Sequence, residues 1–421
     1  MRSFVLCCCV SLLLPFTLHA QHVHVVPDDF GTIQSAIDAA AAGDTVLVQP
    51  GVYRERIVFR GRPLLLLSRA GPALTVIDGG SGGSVVTFRE GEDADAVLDG
   101  FTITGGSHAE DAGGVHIQRS SPTLRNNIIR GNVGGRRGHG ISLVASAAAV
   151  IADNQISENR SFAPGNGAGG GGGIGVEGSG AVQIRGNRIE RNQVSRFSSG
   201  GGINLVNAGA TRIIGNRIEG NRARLSGAGI AIYGSSAARI ENNLIVGNAL
   251  SEPGQGGGVQ WLLSTGAAAP ELIGNTLVDN LAASGSGIHA DGFDRRARII
   301  NNLVVAPAGT TAIECGDFGD LTAPILRHNN AVAVGDAYAG LCALAAVGER
   351  DGNRSQPPLF APGSWRLAAG SPGIDAGDAL AASEALDLDR RKRVVDGDGD
   401  GQAVIDIGAL ESSELGNPAQ N

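Results

Sequence analysis

The chain has 421 residues, 66 of them glycine and 16 proline, and glycine at more than twice its usual share of about 7% argues against a helical bundle. Hydrophobic residues make up 42% and charged residues 18%, too apolar and too weakly charged for a disordered chain, and glycines clustered without a three-residue period exclude collagen. A formal charge of −8 excludes a general nucleic-acid binder, leaving a folded, turn-rich β protein.

In chain order, residues 1–20 read as a secretory signal: Arg2, the apolar run Phe4 to Leu14, and the cleavage end Leu18-His19-Ala20. A secreted or periplasmic protein is expected, with no transmembrane segment, and with Cys315 and Cys342 as its only cysteines after export. Residues 21–45 are expected to form an N-terminal cap, in which Ile33, Ala36, Ile37 and Ala40 share one helical face able to close the open end of a stack.

Residues 46–345 carry a repeat. A glycine-rich opener, an aliphatic-polar-aliphatic strand, a turn and the pair Asn-x-(Ile/Leu)-x-x-Asn recur, with the first asparagine at Asn127, Asn154, Asn187, Asn216, Asn243, Asn275, Asn302 and Asn330. The second follows at Asn132, Asn159, Asn192, Asn221, Asn248 and Asn280. The period is 27 to 33 residues, and each unit holds two or three short alternating strands with no helical stretch. No such unit can bury its apolar face alone, so stacking into a parallel β-solenoid is predicted, with the asparagines as an internal ladder at a sharp turn where αL geometry is tolerated. Cys315 and Cys342 are 27 residues apart, one coil, which stacks them on neighbouring rungs at disulfide range.

The repeat, with Asp28 to Asp38, Gly43-Asp44-Thr45-Val46, Pro50-Gly51-Val52-Tyr53 and Asp99 to Gly106, resembles the pectate-lyase-like superfamily. The resemblance implies an all-β, single-stranded right-handed parallel β-helix with an amphipathic N-terminal cap helix and an irregular C-terminal cap. It also implies contact with a polysaccharide or cell-surface glycan.

Residues 346–411 form the expected C-terminal capping module, and 412–421 a tail. Ser371 to Asp378, Asp387-Leu388-Asp389, Arg393, Asp396-Gly397 and Asp406 to Glu411 resemble the terminal signature of the choice-of-anchor Q group of envelope β-helix proteins. Within it, Asp396, Asp398 and Asp400 alternate with glycine as in a calcium loop, and Gln402 and Asp406 complete the expected ligand set for calcium.

Two outward columns follow from the openers: His116, Ser142, Gly175, Asn204, Ala231, Gln260, His289 and Glu314, and two residues on, Gln118, Val144, Glu177, Val206, Tyr233, Leu262, Asp291 and Gly316. The middle of this face reads as bland. Toward its C-terminal end, His289, Asp291 and Glu314 are the candidate catalytic groups, and Asp294, Arg295, Arg296 and Asp317 the candidate substrate-binding groups, because a carboxylate beside histidine can do acid–base work and arginine can bind an anionic sugar. A row of solvated polar residues is the simpler account of them. His139 stands in a Gly-His-Gly element that resembles one in polygalacturonases, although other coils place Gly201, Ala228 or Ser286 in that slot. Lys392, the only lysine, lies outside the solenoid, which removes lysine-base chemistry from it. The expectation is an exported, monomeric polysaccharide-binding β-helix, with lyase or hydrolase activity left open, against the alternative of a non-catalytic envelope or adhesion scaffold.

Overall fold

A computed structural model describes residues 21–161, 170–195, 198–264, 268–292, 297–319, 321–345 and 350–413. The signal at residues 1–20 lies outside them. Three parallel sheets wrap one core. The first has 12 strands, from Val23–Val26 to Ile325–Arg327; the second has 11, from Ile57–Val58 to Tyr338–Gly340; the third has 11, from Gly51–Tyr53 to Asn330–Val332. Most strands are three or four residues long, so one or two side chains per strand point inward. In the third sheet that position is Ile129, Ile156, Ile189, Ile218, Ile245, Leu277 and Val304, each in register with the next and fully buried. β-branched side chains suit this pleated, half-buried geometry.

The asparagines stack between coils. The backbone N–H and Nδ2 of Asn127 both donate to Oδ1 of Asn154 at 3.0 Å, and Asn127 Nδ2 also reaches the Leu98 carbonyl. The same three bonds repeat up the column. Its C-terminal rungs differ from the expected one: Asn302 donates to Asn329, not Asn330, and Asn329 to Asn353. Nor do the ladder residues themselves take the αL turn. The residue ahead of each does, as at Asn126, Asp153 and Gly186, leaving the ladder amide free to point inward.

At the N-terminal end, helix α1 (Ile33–Ala39) is capped by the Thr32 side chain and buries Ile33, Ala36 and Ile37 over the first coil. At the other end, helix α2 (Leu341–Ala345) packs on the strands Ile313–Cys315 and Tyr338–Gly340. The Cys315–Cys342 disulfide joins this helix to the stack, with Cα atoms 5.1 Å apart.

Residues 357–413 follow the last coils as an irregular segment. They run back along the flank of the stack: His328 meets the Ala376 carbonyl, Asn301 exchanges bonds with Asp378, Glu241 accepts from Ser383, and Arg217 pairs with Asp389. This strap covers outward apolar side chains of the later coils. Ile273 and Ile300 pack with Ala381, and Leu303 with Leu367, Ile374 and Ile407. Earlier coils place Arg185, Arg188 and Arg217 at the corresponding outward positions of those two sheets, where solvent or ion pairs serve.

Candidate functional site

The first outward column has the expected register: His116, Ser142, Gly175, Asn204, Ala231, Gln260, His289 and Glu314 are successive partners in the second sheet. It is not, however, a solvated face. The segments leading into these strands stack on one another, Arg137 on Gly170 on Ser199 and Ser226 on Gln255 on Ser284, and lie over the column as a fin. Glycines make the reversal possible. Gly200 and Gly256 have φ of 68° and 67°, and a Cβ there would sit 2.3 and 2.5 Å from the carbonyl oxygens of Ile203 and Val259.

Under the fin, His289 is 2% exposed. Its Nδ1 bonds to Ser284 Oγ at 3.1 Å, its Nε2 has no hydrogen-bond partner and stands 4.0 Å from Asp291, and burial lowers its pKa. Glu314 is its register neighbour but accepts from the Gly285 backbone, and Asp291 accepts from the backbone of Gly292 and Phe318. The structure thus brings these three together while spending both carboxylates on loop backbone. Asp317 is exposed beside them; Asp294, Arg295 and Arg296 lie outside the described residues. His139 is fully enclosed within the fin, both ring nitrogens without partners, and burial pushes its pKa down to about 4.

The middle of the face, expected to be bland, holds a cleft of about 490 Å³. Gly175 creates it. Where neighbouring coils carry Ser142 and Asn204, this position has no side chain, and a Cβ would lie 2.6 Å from the Gly138 nitrogen, so the fin descends onto the sheet. Glu177, Val206 and Tyr233 of the second column then form one wall, with Arg136 and Arg137 opposite. Arg137 Nε binds Glu177 at 2.5 Å, and its Nη1 lies 3.6 Å from Asp111. Asp111 in turn is 3.8 Å from His116, whose Nδ1 meets Ser142 Oγ at 2.8 Å and whose pKa is lowered by burial. The Tyr233 hydroxyl joins Ser226 at 2.6 Å and Ser199 at 2.8 Å, and burial raises its pKa. Asn204 is 7% exposed, and its Oδ1 has no partner. The sequence signal for this site was a glycine where the column otherwise has side chains, followed two residues on by Glu177.

The expected calcium set is only partly assembled. Carboxylate oxygens of Asp396 and Asp398 lie within 4.8 Å of each other and of a third group, Asp375, which sequence reasoning did not include. Asp375 Oδ2 accepts from the backbone of Gly397 and Asp398, its Oδ1 is buried without a partner, and its pKa is raised by burial and then by Asp398 and Asp396. Asp400 and Gln402 bond to each other instead, exposed, and Asp406 is buried, accepting from Asp375 N and Ser412 N. Asp396 accepts from the Gly399 and Gly401 backbone, which folds the loop around this carboxylate.

Fold and cleft together define a right-handed parallel β-helix with a groove on one sheet face. The family profile described as a right-handed beta helix region matches residues 113–304, the coils that carry the asparagine ladders and the cleft. The solved structure of pectate lyase Pel9A is similar over 94% of this chain and 97% of its own, with a TM-score of 0.50 at 16% identity, a likeness of fold. Alginate lyase from Paenibacillus sp. str. FPU-7 matches 76% of this chain and 98% of its own, with a TM-score of 0.37 at 15% identity. No curated protein matches the chain in sequence.

Proposed function

We propose that this chain is an exported polysaccharide-binding β-helix that holds a sugar unit in the Glu177–Tyr233 cleft. The observation that carries the reading is a concave site lined by a few convergent polar groups, Arg136, Arg137, Glu177, Asn204 and Tyr233. The pectate lyase with which the fold is shared acts, by its name, on a polysaccharide, which supports the same substrate class here. Export fits the Cys315–Cys342 disulfide, since such bonds persist in oxidising compartments.

Binding rather than cleavage is what the geometry supports. Acid–base catalysis needs a group within reach of the substrate proton, yet His116, His139 and His289 are all buried, and Glu177 is held by Arg137. The test is affinity electrophoresis and calorimetry of the mature protein against galactan, xylan, polygalacturonate and alginate, with assays for unsaturated products and new reducing ends. At least one polymer should bind, and Glu177→Ala, which removes part of the cleft wall and leaves Arg137 without its partner, should weaken it about tenfold. Absence of binding to the whole panel overturns the reading.

Calcium is a second, structural role. Asp375, Asp396 and Asp398 offer hard oxygen donors of the kind this ion takes, and the unpartnered Asp375 Oδ1 is the group a cation would satisfy. There it would pin the strap, neutralising three mutually repelling carboxylates.

A further inference from the structure

We infer that residues 134–140, the part of the fin that walls the cleft, form an acid-operated gate: protonation of His139 opens this segment locally and withdraws Arg136 and Arg137 from the cleft, while the coils beneath stay folded. The inference holds whatever the cleft binds. Its first ground is the slot that His139 occupies, two residues ahead of a strand of the second sheet. Six other coils place Gly113, Gly172, Gly201, Ala228, Gly257 and Ser286 there in the same register. The slot is narrow, since a Cβ at Gly172 or Gly201 would sit 2.3 or 2.6 Å from the carbonyl oxygen of the next coil. The imidazole fits only because it lies over Gly134, where a Cβ would stand 2.7 Å from its Nδ1. Packing does not call for a ring at this place, and none of those six coils puts a titratable group in it. Second, nothing compensates a charge on the ring. It is 1% exposed, and both nitrogens lack partners. The segments in contact with it, 113–114, 133–134 and 171–172, carry no titratable side chain. His108, Glu110, Asp111, Arg136, Arg137 and Arg160 stand in the adjoining turns, and none of them forms an ion pair or hydrogen bond with it. A proton there makes a bare cation in a dry interior, and opening returns that cation to water. Third, the segment is weakly held. Gly134, Gly135, Gly138 and Gly140 leave it few side chains, and none of its residues joins an apolar cluster, whereas Ile141 next to it is core. Backbone bonds from Gly138, His139 and Gly140 to residues 170–172 and the Arg137 pairs with Glu177 and Asp111 fasten it, the makings of a local opening unit.

Hydrogen exchange of the full mature protein, read by mass spectrometry at about pH 7 and about pH 5 with each rate divided by that of an unstructured peptide at the same pH, measures the opening. With a pKa of about 4 when closed and about 6.5 when open, protection of residues 134–140 should fall on the order of twentyfold between those pH values. At both it should stay below that of the strands Val115–Gln118 and Ile174–Glu177. His139→Ala, the residue type Ala228 places in the slot, should remove the pH dependence of the segment. His139→Gly, as at Gly201, serves if the alanine form does not give the wild-type circular dichroism spectrum. A segment that keeps its protection at pH 5, or loses it only together with the two strands, overturns the inference. So does an equal loss in the His139 variants, which would assign the opening to Glu177 and Asp111, the carboxylates that tether Arg137.

Discussion

Two stretches of one sheet face, about 19 Å apart at ~4.8 Å per rung, were built from the same repeat and came out differently. At the C-terminal stretch, His289, Asp291 and Glu314 have the residue types of an acid–base site, but the Ser284–Gly285 turn lies on them and takes their hydrogen bonds. Four coils before His289, Gly175 removes one side chain, the fin drops onto the sheet, and a cleft opens beside Glu177 and Tyr233. Reactive side chains make a site only where the cover leaves them reachable. In a solenoid the cover is set by the loop segments, which vary from coil to coil while the strands do not.

The ladder beneath both stretches offers the severest way to break this comparison. Asn192, under the cleft, receives two bonds from Asn159, donates to Ile156 O and continues to Asn221, so Asn192→Ala strands several buried groups at about 1–3 kcal/mol each. Asn280 is the last rung among the described residues of that column, with bonds from Asn248 and to Ile245 only. Urea melts should show Asn192→Ala losing distinctly more than Asn280→Ala; equal losses would mean that the two stretches are not supported by one cooperative column.

Acid should act next. His139 is neutral when folded, with a pKa of about 4 against about 6.5 unfolded, so the unfolded chain binds the extra proton in between. Stability is therefore full above about pH 6.5 and is lost as pH falls toward 4, by on the order of 3 kcal/mol, with His289 and His116 shifted in the same direction. His139→Ala, the residue type Ala228 places in that slot, should flatten the pH dependence of the melting temperature. An unchanged slope would count against the burial of the fin histidine.

The strap gives a smaller effect. Saturating calcium at about 100 times its dissociation constant should add about 2.7 kcal/mol, visible as a melting transition lowered by EDTA. Asp375→Asn should abolish the response and Asp400→Asn should leave it, since only the former belongs to the converging group. The reverse order would restore the loop-only site expected from spacing.

The mildest comparison is functional. Glu177→Ala should cost about 1.4 kcal/mol of glycan affinity, a tenfold change, while Glu314→Ala, whose carboxylate serves the Gly285 backbone, should cost little. If Glu314→Ala proves the more damaging, the site belongs at His289 after all.

Much of the fold was legible because it is repetitive. A glycine opener, an aliphatic triplet and an asparagine returning every 27 to 33 residues leave one arrangement in which each coil buries its apolar face and satisfies its turn amides. The two outward columns and the Cys315–Cys342 pairing followed from counting one period. What escaped was whatever depends on segments outside the period: the fin that covers His289, the cleft over Gly175, and Asp375 joining Asp396 and Asp398 across more than twenty residues.

Local sequence thus determined the coil, its register and the residues offered to each face, because strand pairing and amide stacking act between neighbouring repeats of the same pattern. Tertiary structure decided which of those residues meet solvent. The outward Ile273, Ile300 and Leu303 look misplaced until the strap lies over them, and the histidines look available until the fin does. Burial is a property of what packs on top, and in this chain the covering segments arrive from elsewhere: the strap from more than 60 residues downstream, the fin from turns whose path only the glycines permit.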